Sequence, residues 1–233
     1  METKLITQED IQNLPQPIQR FLDYSGVVGT PRITMVSLEQ TGRFMTAPDR
    51  PWVPFTATQI YNIEKASFKW KVHMKMAPLM IVKGVDRLEE GRGSMRIKLF
   101  GLIPLVSADG PEIDQGAMTR YLSETIWFPQ AFLDDHIHWE AIDSLSAKAI
   151  FTIQDKSVEG IFHFDDEGKV TLFECERYAS EGKEMVLRTW HTPIDEYGEL
   201  GGLQLGIRGR AIWKKPESDY TYIDVKITNI IYE

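Results

Sequence analysis

The sequence predicts a mainly β protein: a single curved antiparallel sheet or half-open β-barrel of roughly eleven strands, with N-terminal and central helices covering its concave face. Three observations carry this expectation. From Arg32 onward apolar residues recur at every second position, most clearly in "FKWKVHMKM", where Phe68, Trp70, Val72, Met74 and Met76 alternate with Lys69, Lys71, His73 and Lys75. Helical spacing is confined to two stretches, one before Gly26 and one from Pro111 to Leu133. No internal repeat, low-complexity tract or Ser/Gly linker divides the chain, so its 233 residues are read as one domain.

The elements follow in order. An N-terminal helix is expected over about residues 8–25: Thr7 and Asp10 form a capping box, Ile18, Phe21 and Leu22 share a face after Pro15 and Pro17, and Gly26 stops the run. Strand patterns then cover Ile33–Thr46, Pro54–Ile63, the lysine-alternating run, Met80–Leu88 and Ser94–Phe100. A helical insertion is expected over about residues 111–133. Pro111, Glu112 and Asp114 suit its first turn, where negative side chains meet the positive end of the dipole, and Pro129 ends the main helix with a short second one through Leu133. Strand patterns resume at Ile137–Ile142, Ala147–Ile153, Val158–Phe164, Val170–Tyr178, Met185–His191, Leu203–Trp213 and Tyr220–Tyr232. "DDEGK", residues 165–169, has hairpin composition.

Composition narrows the function classes. A net charge of -8 argues against a nucleic-acid partner, which calls for a basic face. The single cysteine, Cys175, makes no intramolecular disulfide, and no Cys/His spacing suits zinc. The start "METKLITQED" lacks the basic-then-apolar pattern of a signal peptide, and no apolar run is long enough for an integral membrane segment. The chain as given is therefore expected in the cytoplasm, with a periplasmic or membrane-associated place requiring a leader that had been removed. No Gly-x-Ser-x-Gly elbow, phosphate loop or dinucleotide fingerprint occurs, and no cofactor is expected.

Four stretches, "LPQPIQRFLDYSGVVGTP" (residues 14–31), "WVPFTATQ" (52–59), "GLIPLVSADGPEIDQGAMTRYLSETIWFPQAFL" (101–133) and "WEAIDSLSAKA" (139–149), resemble an uncharacterised family of bacterial proteins. By its β meander with interleaved helices, such a family resembles in turn the lipoprotein carriers and receptors of the LolA and LolB type. The resemblance implies a half-open antiparallel barrel whose apolar concave face is covered by helices, and it brings no known catalytic residues.

Candidate site residues concentrate in the helical insertion. Arg120 and Glu124 lie four apart and face one another on a helix, with Asp114 less than two turns back. On a solvated surface such a pair contributes a few tenths of a kcal/mol, roughly, whereas at the mouth of an apolar cavity it orients a ligand. The helix is expected to act as a plug, with Met118, Leu122 and Ile126 facing the sheet and Arg120 with Glu124 at the entrance. Trp127 and Trp139 lie within the structured pattern, and Trp52 is held between Pro51 and Pro54 as a rim contact. Met74, Met76, Met80, Met95 and Met118 are candidates to line the interior. In "HIHWE", His136, His138 and Glu140 share a strand face, but a solvated face explains them without a metal. The ligand-binding set is thus Trp52, Asp114, Met118, Arg120, Glu124, Trp127, Trp139 and Asp143. The expected function is non-catalytic binding or carriage of a lipid or other apolar small molecule, with the protein partner open. The alternative is an enzyme using Asp114, Glu124 or Asp143 as buried acid or base.

Overall fold

The computed structural model describes residues 4–77, 80–182 and 184–233. Two helices open it, α1 (Gln8–Ile11) and α2 (Gln16–Ser25), in place of the one helix expected over residues 8–25. Proline explains the break. Pro15 has extended backbone, φ -52° and ψ 142°, and it biases Leu14 away from helix, whereas Pro17 sits harmlessly in the first turn of α2. The capping box is present, with the Thr7 amide and hydroxyl donating to Asp10 Oδ2 at 2.7 and 2.9 Å. Gly26 ends α2 in the left-handed region at φ 74°.

The remaining elements are β1 (Met35–Phe44), β2 (Val53–Asn62), β3 (Ser67–Ala77), β4 (Met80–Glu89), β5 (Arg92–Leu99), β6 (Ile103–Ala108), α3 (Pro111–Glu124), two 3-10 turns (Thr125–Trp127 and Pro129–Leu133), β7 (Ile137–Ala141), β8 (Ser146–Ile153), β9 (Lys156–Phe164), β10 (Val170–Glu181), β11 (Glu184–Leu200), β12 (Leu203–Trp213) and β13 (Tyr220–Tyr232). There are thirteen strands, not roughly eleven, in one antiparallel sheet ordered β6-β5-β4-β3-β2-β1-β13-β12-β11-β10-β9-β8-β7. The strand missing from the sequence reading is β6. It lies at the sheet edge with Ile103, Leu105 and Val106 all exposed, so no burial alternation marks it, and Pro104 is tolerated there as in other edge strands. β11 runs on to Leu200 past Pro193 because register shifts near Ile194 and Glu196 absorb the irregularity.

Two meanders, β1–β6 and β7–β13, are joined at the middle by the pairing of β1 with β13. The chain leaves one edge at β6 and re-enters at the other edge with β7, so the helical segment must cross the concave face. It touches β4 and β5 on one flank and β9 and β10 on the other. In a flat sheet β4 and β10, seven places apart, would be on the order of 33 Å from each other, about three helix diameters. The sheet therefore curls around α3 as a half-barrel.

Asp114 fastens this arrangement. Its carboxylate accepts the Gly93 amide of β5 at 2.7 Å and pairs with Lys156 Nζ of β9 at 2.6 Å, so one side chain ties the helix to both flanks. The close approach needs Gly93, where a Cβ would stand 2.3 Å from the Ile113 carbonyl oxygen. One hydrophobic cluster fills the interior. Its aromatic members run from Phe21 and Phe132 (4.8 Å) through Phe162 and Phe173 (4.7 Å) to Trp190 and Trp213 (6.3 Å).

Candidate functional site

α3 closes only part of the concave groove. On one side Tyr121 stacks on Phe151 at 5.0 Å, and Tyr61 packs on Phe128 at 4.4 Å, leaving a solid aromatic core. On the other side, between α3 and the inner face of β1–β6 and β10–β13, a cavity of about 520 Å³ remains, within the usual range for small-molecule sites. Phe44, Phe55, Trp70, Ile126, Trp190 and Trp213 are among its walls.

One polar part of that wall, Asp86, Arg120 and Glu124, is a connected network that reaches Gln59 and Tyr61 behind it. Arg120 Nε lies 2.8 Å from Glu124 Oε1, its Nη1 lies 3.0 Å from Asp86 Oδ2, and its Nη2 donates to Gln59 Oε1 at 3.2 Å. Glu124 Oε2 accepts from Gln59 Nε2 and from the Tyr61 hydroxyl, both at 2.8 Å. The guanidinium also lies over the rings of Trp70 (4.6 Å) and Phe68 (5.1 Å). Burial disfavours the charge on Arg120, but Glu124 and Asp86 beside it overcome this and hold it protonated above its ordinary range. Burial raises the pKa of Asp86 despite Arg120, and burial followed by the Glu124 charge raises that of Tyr61. Arg120 and Glu124 are thus not a solvated pair at the entrance; they are fixed deep in the wall.

α3 also lacks the expected greasy stripe with a charged edge. From Tyr121 to Phe132 every residue is buried, polar ones included. This is tolerable because Thr119, Ser123 and Thr125 turn their hydroxyls back onto the helix carbonyls of Gln115, Arg120 and Leu122.

Of the eight residues proposed from sequence, Arg120, Glu124 and Trp127 line the cavity. The other five lie elsewhere. Met118 is buried in the core, and Trp139 packs on Phe132 and Phe162 with its indole N–H on the Phe132 carbonyl. Trp52 lies under Arg43 at 4.8 Å, half-buried outside the cavity. Asp114 is the fastener described above. Asp143 is exposed in the β7–β8 turn, where the Leu145 amide holds its carboxyl below the usual range. The three carboxylates of the enzymatic alternative are therefore not brought together. Among the methionines Met95 lines the cavity, while Met76 and Met80 are exposed because β3 and β4 run out beyond the core. Burial pushes the Cys175 thiol up to about 12, which suits packing rather than nucleophilic chemistry. In the "HIHWE" strand Ile137 and Trp139 point inward, His138 and Glu140 outward, and Glu140 pairs with Lys148.

The sequence reading missed Gln40, Gln59, Asp86 and Arg177. A signal was present: each occupies an inward phase of its strand, as in Phe55, Ala57, Gln59, Tyr61 or Phe173, Cys175, Arg177, Ala179. A polar residue in the apolar phase of a strand marks a buried polar site.

The chain matches the Family of unknown function (DUF6544) over residues 4–225. No curated protein matches it. Among solved structures it is similar to a LolA superfamily protein from Nitrosomonas europaea, with 9% identity, 92% of this chain and 90% of that one covered, and a TM-score of 0.48. A Vibrio parahaemolyticus domain provisionally described as an outer membrane lipoprotein-sorting protein shares 7% identity over 86% of each chain, with a TM-score of 0.45. A β-barrel-like protein of a domain of unknown function (DUF1849) from Brucella abortus shares 10% identity over 87% of this chain and 99% of that one, with a TM-score of 0.25.

Proposed function

Because this chain belongs to the Family of unknown function (DUF6544), its role must be read from its own cavity, and we propose that it is a non-catalytic carrier of a lipid or other apolar small molecule. The observation that carries this is the cavity itself, about 520 Å³ walled largely by aromatic and aliphatic side chains. Its carboxylates support the same reading. Asp86 and Glu124 are both engaged by Arg120, so neither stands free to take a proton from a substrate, and the third carboxylate of the lining, Glu112, lies in the first turn of α3 apart from that pair.

Titration with a neutral apolar fluorophore such as N-phenyl-1-naphthylamine tests this. The full chain should bind about one equivalent, since the pocket is of a size that accepts one small ligand. Met95→Trp, which pushes a bulkier side chain into the cavity from β5, should weaken that binding while leaving a cooperative unfolding transition. Absence of saturable binding, together with no co-purifying small molecule in native mass spectrometry, removes the carrier reading.

A further inference from the structure

We infer that the cargo is an amphiphile with an anionic oxygen head, and that Arg177 and Tyr222 receive that head. The proposal deepens the carrier reading and rests on it. Three arginines in the cavity wall have other assignments: Arg120 is paired with Asp86 and Glu124, Arg210 with Asp195, and Arg87 is exposed. Arg177 is different. Its guanidinium lies over the rings of Trp190 at 4.6 Å and Trp213 at 5.6 Å, so aromatic surface packs against one side of it and leaves its remaining N–H groups for hydrogen bonding.

Those groups are only partly used. Nε donates to the Gly116 carbonyl at 3.1 Å and Nη1 to the Tyr222 hydroxyl at 3.2 Å, and among the described residues no carboxylate pairs with it. Asp86 is within electrostatic reach, but its hydrogen bond goes to Arg120. Tyr222 adds a second donor. Its oxygen accepts from both Arg177 Nη1 and Trp190 Nε1 (3.1 Å), which engages its lone pairs, and its own O–H has no acceptor among the described residues. A cation with donors to spare and a phenol O–H thus stand side by side in a wall otherwise rich in Ile126, Ile194, Ile207 and Val225. A carboxylate or phosphate oxygen pair satisfies both donors, and the adjoining apolar walls suit the tail that carries it.

The test compares an anthroyloxy-labelled stearic acid with its methyl ester on the full chain at low salt, the same tail with and without the charge. The acid should bind at least tenfold more tightly, roughly the worth of a charge-assisted hydrogen bond. Arg177→Met and Tyr222→Phe, the second keeping the ring and its packing, should each shrink that preference while ester affinity persists; a preference left intact in both variants overturns the assignment of the head to this pair. Displacement by palmitate assigns a carboxylate head, and displacement by lysophosphatidate a phosphate head. Equal binding of acid and ester overturns the head site but leaves the apolar carrier standing. Binding of neither overturns the carrier reading itself. Displacement by inorganic phosphate, with neither amphiphile effective, reduces the site to a free-anion site and overturns the proposal.

Discussion

Tyr121 carries a hydroxyl into the core with no hydrogen-bond partner among the described residues, while its ring stacks on Phe151 at 5.0 Å. Burial raises its pKa, so it stays a neutral phenol whose desolvation nothing repays. Tyr121→Phe keeps the ring and removes the orphaned group; stability should be unchanged or rise by about 1 kcal/mol in urea unfolding. A loss of that size instead would mean the hydroxyl is satisfied. Glu124 is the opposite case, since it accepts from Tyr61, Gln59 and Arg120 at once. As an exposed i,i+4 pair with Arg120 it would contribute only a few tenths of a kcal/mol, roughly. Buried as it is, Glu124→Gln should cost about 3 kcal/mol, because it leaves part of the guanidinium charge uncompensated. Chemical denaturation with an unaltered slope measures this, and a change below about 0.5 kcal/mol would return the pair to the solvated class.

At the scale of elements, α3 is placed by its first turn. Gly93 lets the β5 backbone approach Ile113, and Asp114 bonds β5 and β9 together across the helix start. Gly93→Ala forces a methyl against backbone that cannot rotate away, so it should cost about 1–3 kcal/mol, the usual penalty of overpacking. Hydrogen exchange should then quicken first in residues 111–116, ahead of the sheet. A wild-type melting temperature for this variant would show that α3 docks by its later turns alone. The same geometry explains why helical periodicity was an incomplete guide. Period and Pro111 placed the start of α3 correctly, although it ends at Glu124 and passes into a 3-10 turn rather than running on to Pro129, and a helix enclosed by sheet on several sides has no wet face for a stripe to define.

For the molecule as a whole, the pairing of β1 with β13 joins the two meanders, and one hydrophobic cluster spans both. Neither half can leave without exposing the face of the other. Thermal unfolding should therefore be one cooperative transition, with calorimetric and van't Hoff enthalpies in agreement. Two resolved transitions would show that the meanders hold separate cores despite their shared sheet.

The sequence by itself determined the β character, the position of nearly every strand and the place of the central helix, because each depends on local periodicity and on where proline and glycine interrupt it. β6 escaped because an exposed edge strand carries no alternation to read. Only the tertiary structure decided which side chains meet. Gln59, Asp86 and Arg120 are separated by 27 to 61 positions, yet they form one network, since curling of the sheet brings β2 and β4 against α3. Asp114 and Asp143 looked equally apt as cavity acids in the sequence, but one fastens the helix and the other caps a surface turn. A residue's chemistry is fixed by its type, whereas its role depends on long-range contacts that no local pattern encodes.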